Sequence, residues 1–244
     1  MSSTDNQDQL EVIEQLLNKR WPENIIEPTL DRIAALTDAL GSPHLSYPTI
    51  HIAGTNGKTT TARMIDQLLA ALGYRVGRYT SPHLQSFTER ISIKGAPISP
   101  DLMIATYNDI ALYLDLIDSG QPSPISYFEA LTAMAFVAFA EYPVDIAVIE
   151  AGLGGQWDAT NVVSSQVSVM TPIGFDHMEY LGNTLTEIAQ TKAGIFKPES
   201  NVVLAAQSSE VAKVLMAQVA KVSAIPFREG IEFAVKKREL AVGG

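Results

Sequence analysis

Cysteine is absent from the 244 residues, which excludes disulfides and thiolate metal sites and gives no sign of an oxidising compartment. Long apolar runs are absent too. The longest, A-L-T-A-M-A-F-V-A-F-A from Ala130 to Ala140, is too short to span a bilayer and reads as a buried helix. The N-terminal M-S-S-T-D-N-Q-D-Q lacks an apolar signal core, so a cytoplasmic protein without a membrane partner is expected. Positive charge is scarce: 17 Lys and Arg stand against 27 Asp and Glu, a formal net charge of −10. That balance argues against nucleic acid as the main partner. Between Asp101 and Glu150 there is no Lys or Arg, and there are eight acids. Just upstream, from His51 to Lys94, six Lys/Arg outnumber Asp66 and Glu89, a local charge of +4. An anion-friendly segment beside a carboxylate-rich one suits a polyphosphate with its metal, although an ordinary solvated surface has the same composition.

What is present supports a core: 46% of residues are hydrophobic, enough for one large domain or two small ones. Val12, Ile13, Leu16 and Leu17 suggest a first helix; Pro28 opens a second that runs through Leu30, Ile33, Leu36 and Leu40 to Gly41. Strands are expected at Thr49–Ala53, Tyr74–Tyr79, Arg90–Ile93, Val144–Glu150, Gln166–Thr171 and Asn201–Ala206. Ser99-Pro100-Asp101 marks a helix start, and further helices are expected over about Phe128–Tyr142 and Thr184–Ala193. These strands are mostly apolar rather than alternating, which predicts an α/β fold: a mostly parallel sheet with helices on both faces. The final I-E-F-A-V-K-K-R-E-L-A-V-G-G reads as a strand or hairpin broken off partway.

The most informative stretch is H-I-A-G-T-N-G-K-T-T, between an apolar strand and an amphipathic helix. Glycine lets backbone N–H groups converge on a phosphate, and the following helix adds unpaired N–H groups and its positive end. Lys58 can reach β/γ oxygens, and a threonine hydroxyl can ligate Mg2+. The common G-x-x-x-x-G-K-[ST] pattern is incomplete, because Ile52 stands at its first glycine. An ordinary tight turn with an exposed lysine is the competing reading; strand before, helix after and Gly-Lys-Thr together favour nucleotide phosphates.

With T-S-P-H-L (80–84), S-Y-F-E (126–129), E-A-G-L-G-G-Q-W-D-A-T-N (150–161), D-H-M-E-Y-L-G (176–182) and K-A-G-I (192–195), the chain resembles the folylpolyglutamate synthase/dihydrofolate synthase family, a branch of the Mur ligase superfamily. The resemblance implies a P-loop NTPase-like domain and an ATP-dependent amide ligase. Its reaction activates a carboxylate of dihydropteroate or folate as an acyl phosphate, and the amine of glutamate then displaces phosphate. It implies that Gly54, Thr55, Asn56, Gly57, Lys58, Thr59 and Thr60 form the ATP-phosphate loop. Ser81 and Glu150 resemble ligands of the Mg2+ shared with ATP, His177 a ligand of a second Mg2+, and Lys192 a lysine carried as a carbamate. Lys58, His177 and Lys192 thus carry the catalytic roles. Ser126, Tyr127, Phe128, Glu129, Trp157, Asp158 and Ala159 fall on segments lining a pterin pocket, with Phe128 available to stack on the ring.

Each residue also has a plainer reading: Ser81 shapes a turn, His177 pairs with Asp176 on the surface, Lys192 is solvated, and Phe128 and Trp157 are core. Glu150 is different, because an unpaired acid ending an apolar strand is costly. Thr59 stands where many relatives have glycine, and Gln156 where arginine is frequent. Relatives are also nearly twice as long. The expected organisation is therefore N-terminal helices over 1–48 and an incomplete ATP-binding domain over 49–244, without the C-terminal Rossmann-like ligase domain. Such a fragment is expected to keep phosphate and metal geometry but lack turnover. A monomer is expected. The alternatives are another Mur-type ligase acting on a cell-wall nucleotide, or a nucleotide-binding module without catalysis; a P-loop switch or kinase leaves the other motifs unexplained.

Overall fold

The computed structural model describes residues 3–22 and 27–236. Helix α1 (Ser3–Asn18) turns Leu10, Ile13 and Leu17 inward, while Val12 and Leu16 remain exposed. Its apolar face is therefore narrower than the two doublets predict. Helix α2 (Asp31–Ala39) starts three residues after the expected Pro28, because the Thr29 hydroxyl accepts from the Asp31 amide at 3.0 Å and fixes the entry there.

The remaining order is β1 (Thr49–Ala53), α3 (Lys58–Ala71), β2 (Val76–Tyr79), β3 (Ile91–Ile93), β4 (Ala96–Pro97), α4 (Pro100–Gly120), α5 (Tyr127–Glu141) and β5 (Ile146–Glu150). There follow β6 (Val167–Met170), α6 (Met178–Leu181), α7 (Leu185–Ala193), β7 (Asn201–Leu204), α8 (Ser209–Lys221) and β8 (Ile225–Arg228). One sheet of eight strands results, ordered β4-β3-β2-β5-β1-β6-β7-β8. The strands from β2 to β8 run parallel; β3 and β4 are antiparallel to their neighbours. Helix α8 and strand β8 go beyond the sequence expectations, and Pro226 explains why β8 is easily overlooked. A proline costs a ladder donor, so a strand containing one belongs at a sheet edge, where β8 lies. Of the expected terminal strand, residues 231–236 contribute only a bridge between Glu229 and Phe233, and 237–244 lie outside the described residues.

Helices cover both faces, as the apolar strands predict. On β5, Ala147 and Ile149 join the core beneath α5 and α4, whereas Val148 joins Ile52, Ala62 and Val76 beneath α3. Side chains alternate along a strand, so Ile146, Val148 and Glu150 share the α3 face. This parity delivers Glu150 to the start of α3. Leu10, Leu17, Ile33 and Leu36 from the first two helices enter the same core as Tyr79 and Phe136. Helix α5 is buried from Ala130 to Phe139, as its uninterrupted apolar run requires. No described helix is long and apolar enough to cross a membrane.

Candidate active site

In open α/β sheets ligands gather at the carboxyl ends of parallel strands, and here the loops following β1, β2, β5 and β6 meet there. After β1, Gly54 has φ 144°, and a Cβ on it would lie 1.9 Å from Thr171 Oγ1. Only glycine fits this contact between loops. Gly57, at φ 83°, then opens α3, whose first turn has no capping side chain. The amides of that first turn are left without intrahelical partners, an arrangement that suits an anion. Thr55 and Asn56 contribute differently from expectation: both amides donate to the Pro172 carbonyl, at 3.1 and 3.3 Å, and the Thr55 hydroxyl bonds to Gly174. They lock the loop to the segment after β6, and their amides are already engaged. Lys58 folds back, with Nζ 3.2 Å from the Gly54 carbonyl and 3.4 Å from that of Thr55.

Glu150 is buried at the end of β5, and the Thr59 hydroxyl lies 2.8 and 3.0 Å from its two oxygens. The Ser81 backbone N–H also donates to it. Burial raises the Glu150 pKa against these bonds and the Lys58 charge. The additional hydroxyl at Thr59 thus has a role: it satisfies a carboxylate that no cation neutralises through a described ion pair. Thr60 follows it in the first turn of α3.

Lys192 is not the solvated lysine its helix position suggests. Only 2% exposed, it donates from Nζ to the Gly54 carbonyl at 3.0 Å. Burial and the Lys58 charge push its pKa down to about 8, against the pull of Asp176 and Asp158. The G-L-G-G-Q segment explains its placement. A Cβ on Gly155 would lie 2.6 Å from the Lys192 carbonyl, and the Gln156 amide donates to Thr191 at 2.9 Å, so this loop docks directly on the end of α7.

Beside these groups opens a cleft of about 460 Å³. Lys58, Ser81 and His177 lie at it, together with Ser126, Phe128, Glu129, Trp157, Asp158 and Ala159. His177 has φ 46°, and its Nε2 is 3.5 Å from Asp176 Oδ1, so the surface pairing exists while the residue also borders the cleft. Tyr127 is a correction: it is buried, the Arg90 guanidinium sits 5.3 Å from its ring, and it lines a separate hollow of about 270 Å³. A helix turns successive residues about 100° apart, so Phe128 at the cleft sends Tyr127 elsewhere. Ser126 caps α5, its hydroxyl accepting from the Glu129 amide while Glu129 accepts from the Ser126 amide.

Residues 52–239 match the family described as Mur ligase middle domain. The chain belongs to the Mur ligase family. Among its relatives, a dihydrofolate synthase/folylpolyglutamate synthase of Mycobacterium tuberculosis is 53% identical, covering 95% of this chain and 50% of the relative. The corresponding Bacillus subtilis protein is 41% identical, with 83% and 47% covered. Among solved structures, Mycobacterium tuberculosis folylpolyglutamate synthase complexed with ADP aligns with a TM-score of 0.92 at 52% identity, covering 98% of this chain and 54% of that one. A folylpolyglutamate synthase–AMPPCP–folate complex aligns with a TM-score of 0.89 at 35% identity, covering 97% and 57%. The chain spans about half the length of the curated relatives it matches.

Sequence reasoning missed one cluster in this Mur ligase chain. Arg32 is buried at the cleft, its Nε 3.1 Å from both Glu129 oxygens, with Glu27 on Nη1 and its guanidinium 4.9 Å from the Trp21 ring. The available signal was isolation: Arg32 is the sole Lys or Arg between Arg20 and Lys58.

Proposed function

We propose that this chain is the ATP-binding part of a ligase that adds L-glutamate to dihydropteroate, to folylpolyglutamates, or to both. The observation carrying this reading is the adjacency of Lys58, Ser81 and the Glu150–Thr59 pair to a cleft bordered by Phe128, Trp157 and Asp158. Residues 49–244 form the nucleotide-binding part, and the helices of 1–48 pack against it. The partners are small molecules, and the protein acts as a cytoplasmic monomer without nucleic acid or membrane.

The chemistry requires two anions, a substrate carboxylate and a γ-phosphate, to approach one another. Lys58 moves from the Gly54 carbonyl to the phosphate oxygens, and the first amides of α3 hold the phosphates. The oxygen donors of Glu150, Ser81 and Thr59 suit Mg2+, a hard cation. Among the described residues no cluster of three or more His, Asp or Glu side chains is gathered, so Glu150, Ser81 and Thr59 would hold Mg2+ together with groups from outside the protein. When bound, Mg2+ supplies positive charge that screens the repulsion and stabilises the transferring phosphoryl group. His177 serves a second cation. With its pKa lowered to about 8, a fraction of Lys192 is neutral near neutrality, and that amine would add CO2 and release a proton to become a carbamate. Phe128 faces the pterin ring, Trp157 covers it at the mouth, and Ser126, Glu129, Asp158 and Ala159 supply its polar edge.

The test offers MgATP and labelled glutamate with dihydropteroate and with tetrahydrofolate in separate reactions. It uses both the 244-residue chain and a polypeptide of the relatives' length. Glutamylated product is expected from the longer polypeptide, and MgATP-dependent thermal stabilisation without product from the 244-residue chain. Absence of product with both acceptors would refute the proposal.

A further inference from the structure

We propose that His51 is a positioning residue for the cleft: through the Thr160 hydroxyl it keeps Asp158 a fixed carboxylate, which accepts from ring N–H groups of the substrate. The inference rests on the proposed reading of the cleft as the site of a nitrogen heterocycle.

Three residues link the cleft to the interior. Asp158 lies at the cleft and is 5% exposed, whereas Thr160 and His51 are wholly buried. Asp158 Oδ1 accepts from the Thr160 hydroxyl and from the Thr160 amide at 3.0 Å; Oδ2 accepts from the Leu153 amide at 2.8 Å. On its other side the Thr160 oxygen is 2.8 Å from His51 Nε2.

Hydrogen-bond bookkeeping gives this chain a direction. A hydroxyl has one proton, and an ionised carboxylate can only accept. The Thr160 proton therefore points to Asp158, and the Thr160 oxygen must accept from His51 Nε2–H. That assigns the Nε2–H tautomer, which leaves Nδ1 as a bare lone pair, and Nδ1 is indeed buried without a partner. The opposite tautomer would bury an unsatisfied N–H, a costlier defect. Burial and the nearby Lys197 charge hold the imidazole neutral, with its pKa pushed down to about 3, so its donor role is constant across the working pH range. Asp158 needs such support because burial raises its pKa against the bonds from Thr160, Leu153 and Gly152. The charge of Asp158 is felt in turn by Glu150 and Lys192, whose pKa values it raises. Without the Nε2–H donor, the Thr160 hydroxyl has no fixed orientation and Asp158 becomes easier to protonate.

The test compares the wild-type chain with His51→Leu, which removes the donor, and His51→Gln, whose amide retains an N–H near Nε2. Carboxyl-carbon NMR follows the Asp158 titration, and calorimetry measures dihydropteroate binding. His51→Leu should move the Asp158 midpoint upward and weaken dihydropteroate roughly tenfold, as loss of support to a charged hydrogen bond does. His51→Gln should restore both, and MgATP binding should remain unchanged throughout. Wild-type ring-nitrogen shifts provide a readout that needs no variant: Nε2 protonated and Nδ1 bare are expected. A protonated Nδ1, or an Asp158 midpoint unmoved in folded His51→Leu, would overturn the inference. If the wild-type chain leaves dihydropteroate unbound while both NMR signatures appear, the substrate reading fails and the hydrogen-bond chain stands.

Discussion

Two buried carboxylates lie against helix α3 and have been treated oppositely. Asp66, on the helix itself, meets Arg78 Nη1 at 2.7 Å, and Arg78 Nη2 continues to the Ser92 hydroxyl at 3.0 Å. Arg78 offsets part of that charge within the protein, although burial still raises the Asp66 pKa and leaves Asp66 Oδ1 without a partner. Glu150, at the end of the adjoining β5, has the Thr59 hydroxyl, a backbone N–H and the charge of Lys58 but no described ion pair, and buried Lys192 donates its hydrogen bond to a carbonyl. Folding must bear the desolvation of Glu150 and Lys192 without the compensation that Arg78 gives Asp66. The Asp66–Arg78 pair belongs to the architecture, whereas the open charges of Glu150 and Lys192 lie beside the proposed site.

The largest test of that contrast is Asp66→Ala, which strands the Arg78 guanidinium in the core. It should cost about 3–5 kcal/mol in urea unfolding, the range for breaking a buried pair. A loss as small as that of a surface mutation would break the contrast. Glu150→Gln should do the reverse. The amide can still accept from Thr59, so ligand-free stability should hold or rise. The stabilisation by MgATP, ~2.7 kcal/mol at a hundredfold excess over Kd, should vanish in thermal melts. Lys192→Met should raise ligand-free stability by roughly 1–3 kcal/mol by removing a buried cation. It should also flatten a pH dependence. Unfolded chains bind more protons than the folded state between the folded pKa of about 8 and the ordinary 10.5. The Lys192 contribution to stability must therefore climb as pH rises through that window, and melts of CO2-free protein from pH 7.5 to 10.5 would show a steeper climb in wild type than in Lys192→Met, where Lys197, also lowered to about 8 by burial, still contributes. The smallest effect is expected from Thr59→Val: about 1 kcal/mol, the worth of one hydrogen bond, with a further upward shift of the Glu150 titration.

Much of this was legible beforehand for identifiable reasons. The parallel sheet followed from strands such as Val144–Glu150, apolar on both faces because both are covered. Ser99 announced a helix start, and its hydroxyl accepts from the Leu102 amide; Ser126 and Thr184 cap α5 and α7 in the same way, beyond the sequence expectations. Glu150 was flagged because burying an acid is costly, and it is buried. Lys192 was opaque, since its burial depends on Gly155 and Gln156 docking on α7, a contact with no local signature. The Arg32–Glu129 pair joins residues 97 positions apart, and spacing rules reach only one or two turns. The chain from Asp158 to His51 was invisible for the same reason: its central bond joins His51 on a strand to Thr160, 109 residues later.

The Gly54 carbonyl accepts from Lys58 and Lys192 alike. One oxygen thus tethers two cations that repel one another. In protein free of carbamate, an arriving polyphosphate that draws off the first leaves the second, still an amine, a stronger tether and a less hostile neighbour, so it retains its proton more firmly. By reciprocity, acidity at a helix remote in sequence tunes the grip of the glycine loop on its anion.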